Sequence, residues 1–265
     1  FAYRYAMDAA IFWRRDADLA KLTLEMARRA ERDIGKDNLH RANFGTWVAD
    51  YLLAISRDPA VLALEERASR WNEGQFGEAS SSFAKLGALL QDGQVALAAQ
   101  HFPQMETLFT GLGDTDKFLP CRYIGLEGGY LALRQGQSDL ARERFGRALT
   151  CGQRASAVKP DSVFERDAAA ALAYLDLLEG SSGPTALATL ADEQRTRDDA
   201  GWWRSAAWLA DWHWQQGDQA EAAEWLEALR AWHQARGARY DVALLAQFER
   251  AGLPVPAQPE FDVAE

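Results

Sequence analysis

One short phrase recurs along this chain: a turn carrying glycine or aspartate, then small and large apolar residues at helical spacing. It is clearest at Gly136, Ala141, Phe145 and Ala148. It returns at Gly93, Ala98 and Phe102, and again at Gly217, Ala222 and Leu226. Ala20, Leu24 and Ala27 carry it without the glycine. Each copy follows an apolar helical run, so the unit reads as helix, tight turn, helix. A lone helix pair cannot bury its apolar face, and such units must therefore stack on one another.

Composition supports helices only. Ala, Leu, Glu, Arg and Gln, all strong helix formers, dominate the periodic stretches. Val and Ile are sparse and no alternating pattern lasts, so the chain is expected to be all-α. The apolar fraction of 48% is ample for a core and argues against disorder. A net charge of -10 weighs against direct nucleic-acid binding, which needs a basic stripe. The densest basic cluster, Arg28, Arg29 and Arg32, is diluted by Glu31 and Asp33 and reads as a solvated helix face.

No apolar run approaches the ~20 residues of a membrane span, and no signal peptide is evident. Cys121 and Cys151 form neither a disulfide framework nor a CxxC knuckle, so reduced, packed thiols and a cytoplasmic location are expected. The chain opens on Phe1 inside a helical pattern, which reads as a fragment of a longer protein.

Six helix pairs can be marked by their turns. Pair one covers about 2–32, pair two about 39–71 and pair three about 76–109. After the turn-rich linker 110–116, pair four covers about 119–153, pair five about 163–195 and pair six about 201–234. A last helix over about 240–251 reads as a cap. The domain is thus expected over 1–253, with a mobile tail over 254–265. The turns at Asp58, Gly93, Gly136, Gly180 and Gly217 lie 35, 43, 44 and 37 residues apart. A regular tetratricopeptide array has a period near 34, so the first helices of several pairs are expected to be extended.

Gly129, Gly136, Ala141, Phe145 and Ala148 resemble the small–small–small–large–small signature of a tetratricopeptide repeat. Gly93, Ala98 and Phe102 match it too, as do Ala210, Gly217, Ala222 and Leu226. Pairs one and five match more weakly, and pair two hardly at all beyond Trp47. The resemblance implies a right-handed solenoid in which the first helix of each pair lines a concave face. The unit length near 40 is also similar to the helical superhelix of MalT-type bacterial regulators, which implies a signal-receiving module.

Projecting the turns back along the first helices places Tyr5 and Trp13 on the concave face from pair one. Pair four gives Tyr123, Tyr130 and Arg134; pair five gives Tyr174; pair six gives Arg204, Asp211 and Trp214. These aromatic and ionic residues suit a groove for a peptide or protein domain, with a basic partner favoured by the negative charge. Five of ten tryptophans fall within residues 202–214. Trp208 and Trp212 are expected to face inward and Trp214 outward, either filling a helix seam or forming a face for a small-molecule effector.

His40, His101, His213 and His233 lack metal-ligand spacing and are expected to be satisfied or exposed. No nucleophile elbow or phosphate loop is present, and pairs such as Glu65-Glu66 sit in plain helical context. The sequence thus points to a non-enzymatic interaction or regulatory module without cofactor or metal. The second reading is the ligand-sensing helical-repeat domain of a bacterial transcription regulator.

Overall fold

The computed structural model describes residues 85–87, 89–111, 119–158, 163–197, 199, 201–236 and 240–258. Pairs one and two, with Tyr5 and Trp13, lie outside the described residues, as does the tail beyond 258. Among the described residues the fold is all-α. Residues 85–87 and 89–91 are helical and lead into the Gly93 turn. Eight helices follow: α1 (Val95–Gly111), α2 (Leu119–Arg134), α3 (Ser138–Val158), α4 (Val163–Leu178), α5 (Thr185–Thr196), α6 (Trp202–Gln215), α7 (Gln219–Arg236) and α8 (Val242–Arg250).

Among the described residues, each pair closes through the same backbone device. Gly93, Gly136, Gly180 and Gly217 all have φ between 69° and 83°, the left-handed region that a Cβ disfavours. At Gly136 the amide donates to Leu133 O, and that of Gln137 donates five residues back to Ala132 O. The same two bonds recur at Gly93, Gly180, Gly217 and Gly252. This pairing satisfies the carbonyls that a helix end otherwise leaves open, and it turns the chain sharply.

The small residues set the spacing between helices. A Cβ on Gly129 would lie 2.4 Å from Phe145 Cε1, one on Gly128 2.7 Å from Phe102 Cζ, and one on Gly125 2.9 Å from Ala148 Cβ. The face of α2 that carries these glycines therefore admits α1 and α3 at a separation no larger residue allows. Ala98, Ala141, Phe145 and Ala148 are fully buried there, and Phe102 nearly so. One apolar core runs from Leu86 through α1, α2 and α3 to Leu175 on α4; a second joins α4 to α8 around Trp202, Leu209 and Phe248. From α1 to α7 consecutive helices pack on one another, and the alternate helices α2, α4 and α6 also touch in a row.

Cys151 is disulfide-bonded and no described cysteine is free, which corrects the expectation of reduced thiols. The segment after α8 is docked as far as Gln258: Arg230 donates to Pro254 O (2.7 Å), and the Gln258 amide pairs with the backbone N–H and C=O of Tyr240. No described helix is long and apolar enough to cross a membrane.

Candidate functional site

The row formed by α2, α4 and α6 borders a cavity of about 520 Å³. Helical spacing explains what faces it. Glu127, Tyr130 and Arg134 lie three and four residues apart on α2, and Tyr174 and Leu178 four apart on α4. Arg204, Trp208 and Asp211 follow the same interval on α6. The floor toward the Gly93 turn is Gly87, Leu90 and Gln91, and α8 supplies the remaining wall through Leu244, Gln247 and Arg250.

α8 reaches this position through paired charges. Asp241 caps the helix, its Oδ1 accepting from the Ala243 amide at 2.8 Å, while its Oδ2 accepts from Arg134 at 2.7 Å. At the other end Arg250 pairs with Asp211 and lies over the Trp214 ring. Val242, at the start of α8, sits on the Gly93 turn so closely that a Cβ there would come within 2.9 Å of it. The C-terminal helix thus spans from the turn before α1 to α6.

The apolar wall is aromatic. Tyr174 stacks on Trp208 with ring centroids 4.7 Å apart and planes 5° from parallel. Tyr130 meets Trp208 at 6.3 Å and presents its edge to Phe145 at 5.2 Å. The Arg204 guanidinium lies over both Tyr130 (4.6 Å) and Trp203 (4.7 Å). Such cation–ring contacts hold a guanidinium flat without using its edge donors.

Beneath the cavity the polar groups form a graded network. Gln194 donates to Asp167 Oδ1 (2.8 Å) and accepts from the Ser205 hydroxyl (2.7 Å). Arg166 grips Asp199 through two nitrogens at 2.5 and 3.0 Å. The Asp167 carboxylate rests on Gly201, where a Cβ would clash at 1.9 Å. Burial raises Asp167 from 3.8 to about 6, against the opposing pull of Arg204. Burial likewise raises Glu127 and Tyr130, and pushes Tyr174 up to about 12. For Arg204 burial opposes the charge, but Tyr130, Glu127, Asp167 and Asp241 outweigh it and hold the guanidinium above its ordinary value.

Of the residues the sequence placed on one face, Tyr130, Arg134, Tyr174, Arg204 and Asp211 meet around this cavity. Trp214 stands beside it under Arg250 rather than lining it. Tyr123 is on α2, with its side chain outside the described residues. Trp208 lines the cavity, and Trp212 packs against the second core. Sequence reasoning missed Glu127, Trp203, Asp241 and the α8 wall. His233 is buried, stacked on Tyr240 at 4.3 Å, and His213 faces Asp218 at 3.4 Å. Among the described residues no group of His, Cys, Asp or Glu could hold a metal ion.

The arrangement defines a class, a stacked-helix protein with a mixed aromatic and ionic cavity along one row of helices. No family model, curated protein or solved structure matches the chain.

Proposed function

We propose that the chain is a non-enzymatic recognition module of tetratricopeptide-like architecture. In this reading it is a right-handed solenoid of about six helix pairs, and it binds a short peptide on the concave face formed by α2, α4 and α6. The observation that carries the reading is the cavity of about 520 Å³ along that row. Ligand cavities run to about 300–1,000 Å³, so this one suits a peptide segment of a few residues rather than a folded domain. The aromatic wall supplies contact area and the ions supply direction. A net charge of -10 favours a basic partner outside the cavity mouth.

A second reading has its own support. Because α8 forms one wall, an occupant touches both the stacked pairs and the C-terminal helix. Such a junction suits the ligand-sensing helical-repeat domain of a bacterial transcription regulator of MalT type, with a small molecule as effector. Both readings place the module in the cytoplasm. The disulfide at Cys151 sets that location against an oxidising one, and thiol titration of the protein taken directly from its own cell distinguishes them.

The test fills the cavity without crowding the backbone. Gly87 lines the cavity, and a Cβ built there meets nothing within 4 Å. Gly87→Phe should therefore fold, with helix propensity improved by up to about 1 kcal/mol. Native mass spectrometry would follow incubation of the full chain with a mixture of amino acids, di- and tripeptides, sugars and nucleotides. The reading requires an adduct on the parent that Gly87→Phe loses. Identical spectra for the two proteins would refute it.

A further inference from the structure

The cavity contains two opposite charges that do not close on each other. Glu127 is only 8% exposed and lines the cavity, yet it forms no hydrogen bond or ion pair among the described residues. Burial disfavours its charged form, with Arg204 pulling the other way, and a cation brought against it would favour that form. Arg204 likewise forms no salt bridge among the described residues. Its guanidinium faces are covered by the Tyr130 and Trp203 rings. That leaves edge donors, the geometry that grips a carboxylate through two parallel hydrogen bonds.

The other ions around the cavity are already spent. Arg134 is held by Asp241 and Arg250 by Asp211. Asp167 lies below the wall, bonded to Gln194. The Glu127 carboxyl and the Arg204 guanidinium thus line the cavity without a direct ion pair, beside the apolar stack of Trp208 on Tyr174.

Building on the reading above, we propose that the occupant is a zwitterion of the amino-acid class, a free amino acid or a peptide of two or three residues with both ends unblocked. Its carboxylate lies on the Arg204 edge, its ammonium on Glu127, and an apolar side chain against Trp208 and Tyr174. Each charge that the cavity holds is answered by one end of the ligand. A neutral sugar would leave both unanswered, and a nucleotide would bring excess negative charge to Glu127.

Isothermal titration calorimetry on the full chain tests this with Leu-Leu, N-acetyl-Leu-Leu and Leu-Leu-amide, together with free leucine. Blocking either end of Leu-Leu should weaken binding about ten- to hundredfold, since each block removes a charge-assisted hydrogen-bonded contact. Glu127→Gln should erase the difference between Leu-Leu and its acetylated form while preserving the penalty of the amide. Arg204→Gln should do the reverse. The comparison of blocked and unblocked ligands on the parent needs no variant to fold.

Binding of Leu-Leu that is indifferent to both blocks overturns the proposal. So does an adduct that is sensitive to Gly87→Phe but is a sugar or nucleotide, and in that case the recognition reading stands. Loss of every Gly87-sensitive adduct overturns both together.

Discussion

The Asp167 carboxyl offers a test in which direction matters as much as size. It is partly buried, accepts from Gln194, and lies against Gly201 at the start of α6. Burial holds it at about 6 against an ordinary 3.8, with Asp199 adding repulsion and Arg204, Gln194 and Arg166 opposing. The folded chain therefore binds this proton more tightly than the unfolded chain does. Between the two values the native state carries the extra proton, so the contribution to stability is greatest at the acid end. It declines as pH rises toward 6.

Two pH units of difference correspond to at most about 3 kcal/mol, and partial exposure brings the expectation to about 1–3 kcal/mol. Asp167→Asn keeps the shape and the Oδ1 acceptor for Gln194 while removing the charge. The variant should be more stable than the parent by about 1–3 kcal/mol at pH 7.5, with the gap closing to near zero at pH 4. Urea melts across that range would measure it. Only the difference between the two proteins is diagnostic, because the ion-paired Asp199, Asp211 and Asp241 are common to both. A variant less stable than the parent at pH 7.5, or a gap that ignores pH, would refute the reasoning.

Other expectations concern packing and turns. Phe145→Ala should destabilise by about 3–5 kcal/mol in the same melts, because the ring is fully buried and contacts both Gly129 and the Tyr130 edge. Gly129→Ala should cost about 1–3 kcal/mol by overpacking, since Phe145 lies 2.4 Å from the new methyl position. Two glycines in open space should behave oppositely: Gly136→Ala should lose about 1 kcal/mol to its φ of 71°, whereas Gly146→Ala, within α3, should gain about 0.5–1 kcal/mol.

The turns were legible because their signal is local. A glycine after an apolar helical run can serve a left-handed turn, and Gly93, Gly136, Gly180 and Gly217 all do. From those anchors, counting back along α2, α4 and α6 was enough to bring Tyr130, Arg134, Tyr174, Arg204 and Asp211 to one cavity. Glu127 was passed over because Leu126-Glu127-Gly128 reads as ordinary helix, and its burial depends on α6 arriving opposite it.

The Arg134–Asp241 pair spans 107 residues and leaves no trace in spacing. The last helix was readable as a helix, but its seat across the row was not, since that depends on the accumulated rotation of every pair before it. At Cys151 the same lack of local spacing concealed the disulfide.

The repeated glycine turn means that each described pair closes through bonds local to its own turn. A chain built this way can change length by whole pairs and still fold locally. The cavity cannot share that freedom. It draws one wall from each of α2, α4 and α6, and its fourth from α8. Deleting the α4–α5 pair would leave good turns on both sides but bring Tyr130 opposite the wrong neighbours and carry Asp241 away from Arg134. The architecture is divisible and the cavity is not, so the number of pairs between α2 and α8 is set by the geometry of the cavity and not by the closure of each turn.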